Sequence, residues 1–228
     1  MKMLFQSDPF RVSLFARYIW TPLCVLLTAC APHLGRSLVI TEVPPHFSQS
    51  GTPLSWSRLT LSIEPPSILP ERSIGAFIDG RFVPVEGPTD SVIGDALRNR
   101  IIRAGGHLSP SAPVMIASQV NDWQMEVSPG FPTSGAEARA QITLEARELT
   151  GKVIYRATYS GEAQRTGSYL DRGLAEETMI SAMGHALDEI VLDGRLIRSI
   201  QASEENKKPS SSRFKGKEPT PAFNDFRY

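Results

Sequence analysis

The sequence predicts an α+β fold in which two helices pack on one face of an antiparallel sheet, between a flexible N-terminal tether and a disordered C-terminal tail. Apolar and polar residues alternate through 138–146 and again through 153–159, with a Thr150-Gly151 turn between them, which is typical of a hairpin with one buried face. Segments 89–104 and 172–192 instead carry apolar residues at helical spacing. A chain of 228 residues is long enough for one such domain with extensions.

Residues 1–29 have the pattern of a secretory signal peptide. Basic residues come first, and an apolar run of 12 residues from Tyr18 to Ala29 follows them. Because a membrane-spanning helix needs about 20 apolar residues, a permanent span is the weaker interpretation.

The end of this run, Leu27-Thr28-Ala29-Cys30, resembles the lipobox of bacterial lipoproteins. The resemblance implies cleavage before Cys30 and acylation of Cys30, which would anchor the mature chain in a membrane. By resemblance to enterobacterial sorting, Ala31 in place of Asp indicates the outer membrane. The other cysteine, Cys24, would leave with the signal, so no disulfide and no cysteine-rich metal site is expected.

Residues 30–57 are rich in Pro, Gly, Ser and Thr and are predicted to form a tether, in which Leu38-Val39-Ile40 is compatible with an edge strand. The folded domain is predicted over 58–200. It opens on an alternating strand at 59–63, and Asp79-Gly80 between two apolar triplets predicts a hairpin. Thr89 or Asp90 is expected to cap the first helix, which Gly105-Gly106 ends.

The second half of the domain begins with an extended segment at 114–127. The long hairpin follows, then a helix over 172–192, after which Leu196 and Ile197 are expected to add a turn. Residues 201–228 lose periodicity and are predicted to be a disordered tail. A weak contact with an anionic polymer or lipid headgroups is a less favoured role for the lysines of this segment: Lys207, Lys208, Lys215 and Lys217.

Composition and motifs argue against several functional classes. Lys and Arg together number 24, as do Asp and Glu, so the chain lacks the basic field typical of nucleic-acid-binding proteins. The sequence contains no H-E-x-x-H, G-x-S-x-G or P-loop motif, and no metal, cofactor or catalytic residue is predicted. His107 follows a helix end and His185 lies in a helix, where structural roles are favoured.

Carbohydrate chemistry leaves two weaker hypotheses. The acidic residues on or beside the second helix could act as acid and base in glycoside hydrolysis, although a solvated face or a helix-dipole role is favoured: Asp171, Glu176, Glu177 and Asp188. Trp123, Tyr155 and Tyr159 could stack on sugars, although packing between strands is favoured.

The order of elements between 90 and 198 carries a family resemblance. Four predicted elements follow one another: a helix whose last part is 97–106, a strand at 114–120, a hairpin with Gly151-Lys152-Val153-Ile154-Tyr155 after its turn, and a helix through Ala186 to Ile190. This order resembles the YajG-like family of Gram-negative outer-membrane lipoproteins. The resemblance implies no enzymatic role and no active-site residues.

These patterns together predict a non-enzymatic lipoprotein that is anchored in the outer membrane through Cys30 and faces the periplasm. Its exposed sheet edge or its wet sheet face is expected to bind or support another envelope component. The alternatives are an accessory lipoprotein subunit of a transport or appendage assembly and, less favoured, a carboxylate-dependent cell-wall hydrolase.

Overall fold

The computed structural model describes residues 37–45, 56–69, 74–78, 80–128, 130, 133–168 and 171–207. The predicted signal peptide, the lipobox with Cys30, Asp79 and residues 208–228 of the predicted tail lie outside these ranges. Within the ranges, nine strands form one mixed sheet and three helices accompany it, which confirms the α+β fold class.

Strands and helices are numbered in chain order. The strands are β1 (Leu38–Val39), β2 (Thr60–Ile63), β3 (Ser67–Ile68), β4 (Ile74–Ile78), β5 (Arg81–Glu86), β6 (His107–Leu108), β7 (Val114–Ser128), β8 (Ser134–Glu148) and β9 (Val153–Gly167). The helices are α1 (Thr89–Arg103), α2 (Arg172–Leu192) and α3 (Gly194–Lys207).

Strand β7 lies at the centre of the sheet and pairs along both of its sides. On one side β2, β3 and β4 run parallel to successive parts of β7, and on the other side β8 runs antiparallel along its whole length. β9 then pairs antiparallel with β8 and forms an edge of the sheet. The parallel pairs differ from the antiparallel sheet expected above, because α1 and the segments around it supply the crossover that parallel strands need.

The core lies between the sheet and α2, which packs over β7, β8 and β9. Side chains of β8 alternate between buried and more exposed positions, as the alternation in the sequence predicts, and those of β7 do so on either side of Asn121 and Asp122. Trp56 and Trp123, both fully buried, donate their indole N–H groups to the backbone carbonyls of Val191 and Met179, 2.9 Å away in each case. Each tryptophan therefore joins burial of a large ring to a satisfied polar group.

Helix α1 begins without the side-chain cap expected from Thr89 or Asp90. Pro88 occupies the N-cap position, and the hydroxyl of Thr89 donates to the carbonyl of Gly87 at 3.3 Å instead of capping the helix. The expected cap is therefore wrong, although Asp90 remains in the first turn, where a negative charge is favourable. The helix ends as expected, and Gly105 follows it with a φ of 94°, which glycine adopts readily.

The folded region extends beyond the predicted limits of 58 and 200 at both ends. We call residues 37–45 the strap. They fall in the range assigned to the tether, yet Leu38, Ile40 and Val43 are buried in the core, and β1 pairs with β5 at a sheet edge as the apolar stretch suggested. α3 is a helix of 14 residues rather than one added turn, and it carries the chain to Lys207. Its residues Leu196, Ile197 and Ile200 are buried.

Candidate functional site

The acidic residues considered for catalysis have structural partners. Asp171 is the N-cap of α2 and accepts a hydrogen bond from the backbone N–H of Leu174 at 2.8 Å. Glu176 accepts from Nε of Arg172 at 2.7 Å and from the backbone N–H of Val39 at 2.9 Å. Glu177 is exposed on α2. Asp171 therefore caps α2, and Glu176 helps to hold the strap.

Asp188 contacts Arg100, a fully buried arginine on α1. Nε of Arg100 donates to Oδ1 of Asp188 at 2.6 Å, and its terminal nitrogens donate to the carbonyls of Val43 at 3.0 Å and Pro44 at 2.7 Å. Burial lowers the pKa of Arg100, and the neighbouring carboxylate opposes this shift. One guanidinium thus joins α1, α2 and the strap.

The aromatic residues considered for sugar stacking pack into the domain. Trp123 is buried beneath α2, and the hydroxyls of Tyr155 and Tyr159 both donate to Oδ2 of Asp193, at the junction of α2 and α3. Burial raises the pKa of both tyrosines. Burial opposes ionisation of Asp193 too, but donors led by Tyr155 outweigh it and hold the pKa of this carboxyl below its usual range. This cluster fixes the helix junction to β9.

The sheet face opposite the helices is polar. Side chains of β8 on this face include Glu137, Arg139 and Gln141, and they lie beside similar residues of β7 and β9. A groove with a cavity volume of about 520 Å³ indents the face between β4, β7 and β8. Five of the nine lining residues are polar or charged. Three of the four charged ones are acidic: Asp122, Glu126, Glu137 and Arg139.

Asp122 is the unusual residue of this groove. Its Oδ1 atom is buried and has no hydrogen-bond partner among the described residues. Burial raises the pKa of Asp122, and the backbone N–H of Trp123 opposes the shift only in part. Two further acids lie nearby, because Glu126 of the same strand is directly opposite Glu137 of β8, and of these Glu137 is paired with Arg139 at 2.8 Å. The groove therefore favours a cationic or hydrogen-bond-donating group.

The edge formed by β9 is a second exposed feature. The strand is 15 residues long and pairs with β8 on one side. On the edge side, Nδ1 of His185 lies 2.7 Å from the carbonyl oxygen of Glu162, so this histidine has a structural contact. His107, the other histidine considered, lies in β6 and is paired with Thr60 of the parallel strand β2.

Two further findings concern what the described residues contain. They include no group of three or more His, Cys, Asp or Glu side chains placed to hold a metal ion. None of the helices in the described part of the chain combines the length and the apolar character needed to cross a membrane.

Comparison with known proteins gives a fold match and no closer relative. No protein-family model matches the chain, and no curated protein matches it. Protein XCC0632 from Xanthomonas campestris, described under the family model DUF330, superimposes with a TM-score of 0.53 at 15% identity, over 75% of this chain and 99% of that one. The chain therefore has the fold of that protein.

Two other solved structures are more distant. A protein described as a neuraminyllactose-binding hemagglutinin homolog from Helicobacter pylori gives a TM-score of 0.40 at 12% identity, over 72% of this chain and 100% of that one. A protein described as a lipoprotein from Caulobacter crescentus gives 0.36 at 13% identity, over 62% and 92%. The resemblance to the YajG-like family stays a prediction, since no family model supports it.

Proposed function

We propose that this protein is a non-enzymatic envelope lipoprotein, anchored in the outer membrane through an acylated Cys30, whose domain faces the periplasm and binds another envelope component. The observation that carries the anchor is the Leu27-Thr28-Ala29-Cys30 motif after a short apolar run. Ala31 in the next position supports outer-membrane sorting.

The non-enzymatic part of the proposal is supported by the positions of the candidate catalytic groups. Asp171, Glu176 and Asp188 each have a contact that holds an element of the fold in place. A glycosidase needs two carboxyl groups facing each other across a cleft, at about 5–10 Å. The contacts of these three residues favour a binding domain over that alternative.

The binding part of the proposal is supported by the groove on the polar sheet face. Asp122 has a carboxylate oxygen buried without a partner, an arrangement that costs stability in the isolated domain. An envelope component that presents a cationic or hydrogen-bond-donating group would satisfy this oxygen. Binding of such a partner would account for an acid whose buried oxygen has no partner among the described residues.

The anchor is tested by the mass of the mature N-terminus together with membrane fractionation of the wild type and of Cys30→Ser. We expect an acylated Cys30 in the outer-membrane fraction and release of the variant from it. An intact Met1, or a distribution unaffected by the substitution, would refute the anchor.

The binding surface is tested separately by photo-crosslinking in intact envelopes. A photoreactive residue at Gln124, which lines the groove, is expected to give a discrete adduct. The matched control is Arg198, an exposed position on α3, where no adduct is expected. Equal labelling from both positions would contradict a partner on the polar face, whatever the outcome for Cys30.

A further inference from the structure

We infer that the edge of β9, which no other strand of the described residues pairs with, binds a second copy of this chain. The two copies pair antiparallel about a two-fold axis, so that the sheet continues from one copy into the other. The inference rests on the backbone and side chains of β9. It does not depend on acylation of Cys30 or on the groove of the polar face.

The structure identifies which backbone groups of β9 are available at this edge. In an antiparallel pair, alternate residues direct both backbone groups toward the partner strand or away from it. The contact between His185 and the carbonyl of Glu162 shows that Glu162 belongs to the set that points away from β8. Residues of the same set present N–H and C=O groups along the edge: Arg156, Thr158, Ser160, Glu162 and Gln164.

This set is complementary to itself in one antiparallel register. When Thr158 lies opposite Ser160 of the second copy, Arg156 lies opposite Glu162 of the second copy, and the two-fold axis repeats both pairs. Opposite charges that face each other across strands stabilise the pairing. A shift of two residues in either direction places Arg156 opposite Ser160 or Gln164, and the charge pairs are lost.

The side chains and backbone at the edge leave room for this pairing. The side chains of Arg156 and Glu162 are 67% and 70% exposed, although each also lies near a charge of β8. A carbonyl oxygen has two lone pairs, so Glu162 can accept a bond from the second copy while His185 keeps its own. Long edge strands are usually shortened, covered or paired, and two-fold pairing would cover this one.

Charge reversal on the full chain tests the register. Arg156→Glu and Glu162→Arg each turn two attractive pairs of the dimer into two repulsive ones. Measured by sedimentation equilibrium in density-matched detergent, each single variant is expected to raise the dissociation constant of the wild-type dimer about tenfold or more. The double variant restores opposite charges across the interface and is expected to return within about threefold of the wild type.

If the charge reversals acted only on contacts inside one copy, the double variant would be affected more than either single variant. Recovery of dimerisation in the double variant therefore distinguishes the two explanations. Within the chain, Nε of Arg156 lies 3.3 Å from Glu145, and Nε of Arg139 lies 3.6 Å from Glu162. The double variant breaks both of these pairs, so a purely structural effect would make it the worst of the three. Arg147→Glu is the matched control, because it removes another partner of Glu145 on β8 and leaves the edge intact.

Each remaining outcome overturns the inference. A wild-type chain that stays monomeric over the whole concentration range excludes a second copy as the occupant. A dimer that the single reversals do not weaken has a different interface. A double variant without rescue has a different register. A monomeric wild type that co-purifies with another protein, lost in Arg156→Glu, would assign the edge to that protein.

Discussion

Substitution of Asp188 by Asn probes the buried contact between α1, α2 and the strap. Asn keeps the shape of the side chain and an oxygen that can accept from Arg100, but it removes the negative charge beside a guanidinium with 0% exposure. Removing one partner of a buried ion pair costs about 3–5 kcal/mol. We therefore expect Asp188→Asn to lower the free energy of unfolding by about 4 kcal/mol, near the middle of that range.

A second substitution is expected to restore part of this loss. Arg100→Met in the Asp188→Asn background removes the buried charge as well, so its desolvation no longer opposes folding. The main remaining cost is the loss of the hydrogen bonds to the carbonyls of Val43 and Pro44, at about 1 kcal/mol each, since the bond to the carbonyl of Ala96 is longer, at 3.3 Å. The double variant should therefore lie about 2 kcal/mol below the wild type, above the single variant.

Urea unfolding followed by tryptophan fluorescence measures these differences. Trp56 and Trp123 are fully buried and become exposed when the domain unfolds. For a domain of this size, a loss of about 4 kcal/mol also lowers Tm by roughly 8–16 °C. A cost below about 1 kcal/mol for Asp188→Asn, or a double variant less stable than the single one, would refute the reasoning about the buried charge.

Three further predictions concern stability. In Gly161→Ala the new Cβ would lie 2.0 Å from the carbonyl oxygen of Ala182 and 2.5 Å from the backbone nitrogen of Ala186. We therefore expect urea unfolding to show a free energy of unfolding lower by about 3 kcal/mol. The control Gly135→Ala, whose Cβ would have no heavy atom within 4 Å, should be nearly neutral. Hydrogen bonds hold the pKa of Asp193 below its unfolded value, so the stability that its carboxylate contributes is present above about pH 4 and is lost as pH falls through the folded pKa. In urea unfolding at a series of pH values, the loss of stability in Asp193→Asn should therefore shrink in acid. A loss of stability that does not change with pH would contradict a role of the ionised carboxylate. The pKa of Asp122 is raised instead, so protonation of Asp122 favours folding. Asp122→Asn should therefore increase the free energy of unfolding by up to about 1 kcal/mol at pH 7 and lose this advantage below about pH 4. If Asp122→Asn were less stable than the wild type at about pH 7, the fold would need the carboxylate.

The parts of the fold that follow from local periodicity were predictable. The helix over 172–192 has the predicted limits in the structure, because its apolar stripe and the Asp171 cap are local features. The β4–β5 hairpin forms with Ala76 opposite Val83, as the Asp79-Gly80 turn indicated. The one break in the alternation of β9, at Ile154, coincides with a register shift opposite Ala146 and Arg147.

The parts that depend on distant contacts were not predictable from these patterns. Burial of the strap relies on Arg100, which lies 57 residues beyond the Val43 carbonyl that it binds. The sequence pattern of a Pro-rich segment does not predict such a contact. The parallel pairs of β7 have the same origin, since the strands that meet there are separated by α1 or by long connections.

The residue of greatest interest in the groove, Asp122, was also missed by the sequence analysis. A register shift between Val120 and Asp122 breaks the alternation of β7 and turns the Asp122 side chain toward the polar face. The available signal was the pair of consecutive polar residues, Asn121 and Asp122, inside an otherwise alternating strand. Such a pair indicates a bulge, but the unsatisfied oxygen requires the three-dimensional structure.

Under the proposed anchor at Cys30, the position of the strap would limit the distance between the domain and the membrane. If Cys30 carries the proposed lipid, seven residues separate it from Ser37, where the described strap begins, and a chain of that length spans at most about 25 Å. A tether of 30–57 would have reached about 95 Å. Since a domain of this size is about 40 Å across, this maximal span would be shorter than the width of the domain. The domain would then keep one side toward the bilayer, and its partners would have to meet it within a few nanometres of the lipid surface.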